Sequence, residues 1–146
     1  MAPLGLRALA ATLFLSCVLV GAALAQGFTP RDLSATLSGP GNGNGVASVT
    51  LNPDAGSVCY ELVYNLTPPA TAAHVHRGEA GANGPSVVPF LASTPAASDS
   101  PSGCTPRVDA GLIRELMSNQ AGFYVNIHNA DFPGGAIRGQ LGVPLP

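Results

Sequence analysis

Three histidines are the residues of this chain whose type and spacing are best suited to ligand binding or chemistry. His74 and His76 form a His-x-His pair, and His128 follows much later in the chain. Because side chains alternate along a β-strand, both imidazoles of the pair would project from one face. Three neutral imidazoles suit zinc or copper as a donor set. The pattern predicts a candidate metal site if the fold brings His128 beside the pair.

Alternation also places polar side chains on the outer faces of the last two predicted strands, residues 123–128 and 136–141. The aliphatic side chains of both runs fit the core. The polar positions that would face outward are Tyr124, Asn126, His128, Arg138 and Gln140. A hairpin between the two strands would place Asn126 opposite Arg138. If the His-x-His strand lies beside residues 123–128, the three imidazoles converge.

Several residues are candidates for the surroundings of this site. Arg138, Asn126 and Tyr124 would act as outer hydrogen-bond partners, and Glu79 and Asp131 are close enough in sequence to complete or orient a metal shell. Two other interpretations stay open. The polar residues could form a hydrogen-bonded cluster that only fixes the loops, or the same patch could bind a ligand that is not a metal.

The composition limits the classes of protein to which the chain can belong. It has 146 residues, of which 46% are hydrophobic and 10% are charged, with a formal net charge of -2 at pH 7. This length fits one domain, and the hydrophobic fraction is too high for a disordered chain. The few basic residues offer no basic patch, which excludes nucleic acid as an expected partner.

The N-terminus is typical of a secretory signal peptide. Arg7 precedes an apolar run over residues 9–24, and an Ala-x-Ala cleavage site ends at Ala25. The run is slightly short for a membrane-spanning helix. The predicted divisions are a signal peptide (1–25), a lead-in (26–32), the domain (33–142) and a tail (143–146). The mature protein would be secreted or periplasmic, with no membrane span and an extracellular or periplasmic ligand that the sequence does not identify.

The cysteines fit the same compartment. Removal of the signal peptide takes away Cys17 and leaves Cys59 and Cys104. An even pair of cysteines in an exported chain predicts a disulfide bond.

Short alternating runs separated by Gly, Pro and Asn predict an all-β fold with about seven strands. The predicted strands are residues 33–37, 46–51, 57–66, 71–77, 86–91, 123–128 and 136–141. The segment 92–107 is rich in Ser, Pro and Ala, and is predicted to be a long surface loop that holds Cys104.

Residues 109–119 are the only helical candidate. Asp109 can cap the N-terminus, and an apolar stripe of Leu112, Ile113 and Leu116 would pack on a sheet edge. The predicted fold class is therefore an immunoglobulin-like β-sandwich or a small Greek-key barrel with one short helix.

From about Leu33 to Leu141 the sequence resembles the CHRD domain family, the module first named in chordin. The segments that carry the resemblance are residues 37–39, 45–51, 71–78, 81–85, 124–128 and 133–141. The resemblance implies an exported β-sandwich or β-barrel module with poorly defined biochemical activity. The chain departs from the family pattern at Ala136, where a Glu is usual, and at Asn129, where a Thr is usual.

The His-x-His strand also looks like the copper-binding strand of copper/zinc superoxide dismutases. His128 and Arg138 follow in a comparable order. The metal-bridging histidine, the zinc-binding histidines and the zinc-binding aspartate of those enzymes have no counterpart here. This likeness implies at most a mononuclear copper or zinc site, and not a dismutase.

These observations favour a non-catalytic extracellular or periplasmic binding or structural module of undefined ligand. The alternative is a mononuclear copper or zinc protein that uses His74, His76 and His128 and could be redox-active. Copper and zinc are thus the candidate cofactors. No catalytic residue can be named from the sequence, which leaves enzymatic activity undecided and less favoured than binding.

Overall fold

The computed structural model describes residues 27–90 and 100–144. The predicted signal peptide, residue 26, residues 91–99 and the last two residues of the predicted tail lie outside the described residues.

The described chain forms eight strands, one α-helix and one 3-10 turn. The strands are β1 (Arg31–Ser38), β2 (Asn44–Asn52), β3 (Ser57–Asn65), β4 (Ala70–Arg77), β5 (Ser86–Pro89), β6 (Ser102–Pro106), β7 (Phe123–Asn129) and β8 (Ile137–Gln140). The helix, α1, spans Ala110–Ser118, and the 3-10 turn spans Gln120–Gly122. The predicted all-β fold with one short helix is confirmed.

All eight strands belong to one antiparallel sheet, in the order β5-β4-β7-β8-β1-β2-β3-β6. The two edge strands of this sheet approach each other. The hydroxyl of Thr105 in β6 donates a hydrogen bond to the carbonyl of Pro89 in β5. The ring of Tyr60 in β3 stacks on Phe90, which follows β5, with ring centroids 4.4 Å apart. The sheet is therefore nearly closed into a barrel.

The interior of the barrel is filled by the alternate side chains that the sequence pattern assigned to it. In β3, Val58, Tyr60, Leu62 and Tyr64 are all buried, and the intervening residues face outward. The neighbouring strands β1 and β2 contribute side chains of the same kind, so a continuous apolar core forms along the sheet. The opposite face of the sheet is thereby left free for polar side chains.

The prediction that residues 92–107 form one surface loop is wrong for its second half. Residues 102–106 form β6, which pairs with β3 and places Cys104 directly opposite Cys59. The two sulfur atoms are bonded at 2.05 Å, which confirms the predicted disulfide. The strand has no apolar alternation because only Thr105 among its residues is buried, so the pattern that reveals the other strands is missing.

Helix α1 begins as predicted, because the Asp109 side chain accepts a hydrogen bond from the Leu112 N–H at 2.9 Å. Its position differs from the prediction of a sheet edge. The helix packs against β2, which lies between β1 and β3 in the sheet. Ile113 and Leu116 are fully buried, so the apolar stripe completes the core and does not cover an edge strand.

Candidate metal centre

Three adjacent strands position the candidate site. Strand β7 pairs with β4 on one side, where Asn126 is opposite His74 and Tyr124 is opposite His76. On its other side β7 pairs with β8, where Asn126 is opposite Arg138, as predicted. Because Val125 and Ile127 point into the core, the alternate residues of β7 project from the outer face of the barrel.

The structure brings the three histidines together on this outer face. Each of His74, His76 and His128 offers one ring nitrogen, and these three atoms lie within 4.8 Å of one another. The closest pair is His74 Nδ1 and His128 Nε2, at 3.2 Å. A tetrahedral zinc ion with Zn–N distances of about 2.0 Å separates its ligand nitrogens by about 3.3 Å. The closest pair already has this spacing, and the third nitrogen is a short movement away.

Two of the imidazoles are held in a defined tautomer by backbone carbonyl groups. Nδ1 of His76 donates to the carbonyl of Gly84 at 2.9 Å, and Nδ1 of His128 donates to the carbonyl of Pro133 at 2.9 Å. A carbonyl only accepts hydrogen bonds, so each neutral ring carries its proton on Nδ1. Nε2 then carries no proton on either ring, as metal coordination requires.

Nε2 of His76 and Nδ1 of His74 differ in their hydrogen bonding. In the part of the chain that the structure describes, His76 Nε2 is buried and has no hydrogen-bond partner. Nδ1 of His74 faces Nε2 of His128 and is its hydrogen-bond donor. A metal ion bound between these two nitrogens would displace that proton.

Burial lowers the pKa of both His74 and His128 from the ordinary value of 6.5. For His74, the neighbouring His128 and His76 lower the pKa further. For His128, the hydrogen bond to Pro133 opposes the shift and His76 adds to it. Both rings bind protons less tightly in the folded than in the unfolded chain. The free energy of unfolding of the metal-free protein therefore decreases as the pH falls below about 6.5.

Tyr124 and Asn126 are on the outer face, as predicted, yet they are buried, at 2% and 3% exposed. Two loops cover them. The glycine-rich loop of residues 78–85 lies over Tyr124, whose hydroxyl accepts a hydrogen bond from the Gly84 N–H at 3.2 Å. The loop of residues 130–136 lies over Asn126, whose Nδ2 donates to the Gly134 carbonyl at 3.2 Å. The loops thus cover these two residues, whereas the three histidines are half-buried.

Glycine at position 135 is required by this covering loop. Gly135 has a φ of +135°, and a Cβ added there would collide with the side-chain amide of Asn126. The oxygen of that amide is buried without a hydrogen-bond partner. His76 Nε2 and Asn126 Oδ1 are thus two buried atoms, among the described residues, that have no hydrogen-bond partner. Both lie on the outer face of the paired strands β4 and β7.

Arg138 reaches across β7 to the first of these loops. Its guanidinium donates to Asn83 Oδ1 at 2.9 Å and to the Ala82 carbonyl at 2.6 Å. Its Cζ lies 3.7 Å from the centroid of the Tyr124 ring. Arg138 therefore contacts the loop and the tyrosine, and these are the groups that surround His76.

The two carboxylates suggested by the sequence are placed differently. Glu79 and Asp131 are both exposed, and neither belongs to the group formed by the three histidines.

The residues that the sequence did not reveal are the carbonyl groups of Gly84 and Pro133. Backbone acceptors leave no side-chain signature. The only available signal was the presence of Gly- and Pro-rich loops directly after the histidine-bearing strands, because such loops allow close approach of the backbone.

The fold and the site define a class of protein, a small antiparallel β-barrel with a three-histidine cluster on its outer face beneath two glycine-rich loops. The family model of the CHRD domain matches residues 29–141. The chain therefore belongs to the CHRD domain family, and the resemblance drawn from its motifs is confirmed. No curated protein and no solved structure matches the chain.

Among residues 27–90 and 100–144, no helix has both the length and the apolar character needed to cross a membrane.

Proposed function

We propose that this CHRD domain is a binding module whose ligand is one transition-metal ion, copper or zinc, held by His74, His76 and His128. The observations that carry the proposal are the buried and unpartnered Nε2 of His76 and the grouping of the three histidines, each with one ring nitrogen within 4.8 Å of the others. Imidazole nitrogens are preferred ligands of both metals.

The unpartnered Nε2 of His76 also argues against a purely structural role for the cluster. A buried hydrogen-bonded network is stabilising when its polar atoms have partners, and a buried atom without one costs about 1–3 kcal/mol. His76 Nε2 has this cost in the metal-free protein. A bound metal ion would convert it into a favourable interaction.

Three protein ligands leave a further coordination position open to water or to an external ligand. The chain would therefore supply a metal whose remaining position is accessible to exchange. A role in binding and presenting the metal follows without any catalytic residue.

The location of the protein is part of the proposal. The signal-like segment 1–25 and the disulfide bond support export to the periplasm or the extracellular space, where disulfides persist.

The strand order supports the Greek-key barrel over the two-sheet sandwich. Strand β7 follows β6 in the chain but lies beside β4, and β5 and β6 come together at the Thr105–Pro89 hydrogen bond. A fourth strand that returns to lie beside the first is the Greek-key arrangement.

The test is elemental analysis of the purified protein, made without a histidine tag, incubated with copper or zinc and then desalted. We expect about one metal ion per chain for at least one of the two metals, because the three nitrogens form a single site. Protein that retains neither metal after desalting would rule out the proposed function.

Metal binding is expected to weaken progressively as the pH falls below about 6.5. Coordination requires neutral imidazoles, and the pKa values of His74 and His128 lie below the ordinary 6.5. These rings therefore stay neutral at pH values where an exposed histidine is already partly protonated.

The measurement is a competition titration against a coloured chelator at a series of pH values. A synthetic peptide of residues 71–78 serves as a control, because its two histidines are fully solvated and should lose the metal at a higher pH. An affinity that stays constant from neutral pH to about pH 4 would contradict coordination by histidine.

A further inference from the structure

We propose that Arg138 is a positioning residue of the metal centre, which acts through the loop of residues 78–85 to keep Nε2 of His76 free. The part of this proposal that concerns affinity rests on the proposed metal-binding function. The part that concerns the tautomer of His76 can be measured without a metal.

The first step is the attachment of the loop to β8. Arg138 donates two hydrogen bonds to neighbouring residues of the loop, to Asn83 Oδ1 at 2.9 Å and to the Ala82 carbonyl at 2.6 Å. A guanidinium has a rigid planar fork of donors, so two simultaneous hydrogen bonds fix both the distance and the orientation of the loop. The next residue along the chain is Gly84.

The second step is the contact of Gly84 with His76. The Gly84 carbonyl accepts the proton of His76 Nδ1 at 2.9 Å. At Gly84 the loop lies so close to β4 that an added Cβ would collide with the Arg77 carbonyl oxygen. The acceptor that holds the His76 proton on Nδ1 is thus a backbone group directly adjacent to the residues held by Arg138.

Tyr124 contacts both Arg138 and His76. Its ring stacks on the His76 imidazole, with centroids 5.1 Å apart and planes inclined by 20°. The Arg138 guanidinium lies over the same ring at 3.7 Å, and the Gly84 N–H donates to the tyrosine hydroxyl at 3.2 Å. The cation, the phenol ring and the imidazole form one stack, which limits rotation of His76 about its side-chain bonds.

The consequence concerns which nitrogen of His76 carries the proton. In a neutral imidazole this is decided by the hydrogen bond that the other nitrogen makes. Loss of the Arg138 contacts would leave the loop held at this point by the Arg77 N–H to Pro85 carbonyl and Gly84 N–H to Tyr124 hydrogen bonds. The Gly84 carbonyl would be less firmly positioned, and the proton would then redistribute between Nδ1 and Nε2. A protonated Nε2 must lose its proton before it can coordinate a metal, so Arg138 would influence affinity although its two hydrogen bonds go to Ala82 and Asn83 and not to a histidine.

The test compares Arg138→Met and Arg138→Lys with the unchanged protein. The imidazole ¹⁵N chemical shifts of His76 in the metal-free protein at neutral pH report the tautomer. We expect a protonated Nδ1 in the unchanged protein and a mixture of tautomers in Arg138→Met. Metal affinity is expected to fall by at most about ten- to a hundred-fold, the usual effect of losing the direct hydrogen-bond partner of a ligand. Arg138→Lys keeps the positive charge but lacks the planar pair of N–H donors. Its metal affinity should therefore lie between those of Arg138→Met and the unchanged protein.

Two further variants separate the proposal from a general effect on folding. Arg114→Met is the matched control, because Arg114 also lies over an aromatic ring, Phe28, at 5.8 Å, but on α1. It should leave both readouts unchanged. Asn83→Ala removes one acceptor of Arg138 from an exposed loop position. It should shift the tautomer in the same direction as Arg138→Met, and it decides the question if Arg138→Met fails to fold.

The proposal is overturned if His76 keeps the same ¹⁵N shifts in Arg138→Met and in Asn83→Ala. It is also overturned if Arg114→Met moves those shifts as much as Arg138→Met does. If the unchanged protein binds no metal, the proposed function fails, and the tautomer measurement still decides whether Arg138 positions His76.

Discussion

Replacing His128 with alanine is expected to abolish retention of copper or zinc while the protein stays folded. The substitution removes one of the three donor nitrogens and the partner of His74 Nδ1. The loss of affinity should exceed the roughly hundred-fold upper range found for outer partners of a ligand. His74→Ala and His76→Ala should have the same effect. The metal content of desalted protein, determined by elemental analysis, measures it.

The free energy of unfolding should decrease only slightly in His128→Ala. The side chain is half-buried and its backbone contact is one hydrogen bond to Pro133, so a loss of about 1 kcal/mol in the free energy of unfolding is expected. Asp131→Ala is the matched control, because Asp131 is exposed in the adjacent loop and outside the histidine group. A His128→Ala protein that still retains one metal ion per chain would exclude the site.

A hydrogen-bonded cluster without a metal gives a different pattern. Each histidine substitution would then reduce stability, and the unchanged protein would have no metal to lose. Parallel measurement of urea unfolding and metal content for the same variants therefore separates the two interpretations.

Removal of the disulfide by the double substitution Cys59→Ala and Cys104→Ala is expected to lower the free energy of unfolding by about 4 kcal/mol. This value follows from the chain-entropy model for a closed loop, with a sequence separation of 45 between the two cysteines. The bond joins the edge strand β6 to β3, and β6 carries the Thr105 hydroxyl that reaches β5. Urea unfolding under oxidising conditions measures the difference.

Thr105→Val is the matched control for this experiment. It removes the hydroxyl that reaches β5 and leaves the disulfide in place, so its cost should be about 1 kcal/mol. A double-cysteine variant that is no less stable than Thr105→Val would show that the disulfide contributes little. A thiol assay on the denatured, unreduced protein should detect no free thiol from Cys59 or Cys104.

The strands that could be predicted from the sequence are those with a buried and an exposed face. Alternation identifies β3 because its buried side chains recur at every second position. The pairing of Asn126 with Arg138 followed from the assumption that the two strands form a hairpin about residues 129–135. Alternation alone does not determine the register. Strand β6 could not be found in this way, since its pairing depends on Cys104 and not on apolar side chains.

The candidate site was predictable only in its histidines. Alternation determines the face of the sheet on which a residue lies, but not what covers that face. Tyr124 and Asn126 are buried by loops whose own sequences have no apolar pattern. The tautomers of His76 and His128 depend on the carbonyls of Gly84 and Pro133, and every residue has such a carbonyl. Their use as acceptors is decided by the path of the loops.

The meeting of β5 and β6 also bears on how the protein behaves at high concentration. An exposed sheet edge offers unpaired N–H and carbonyl groups on which strands of other molecules can add. Here both edge strands are short, each contains a proline, and the carbonyl of Pro89 is already occupied by Thr105. Edge-to-edge association of neighbouring copies into extended sheets is therefore disfavoured. The chain contains no lysine, the residue whose charge often prevents such association at edge strands.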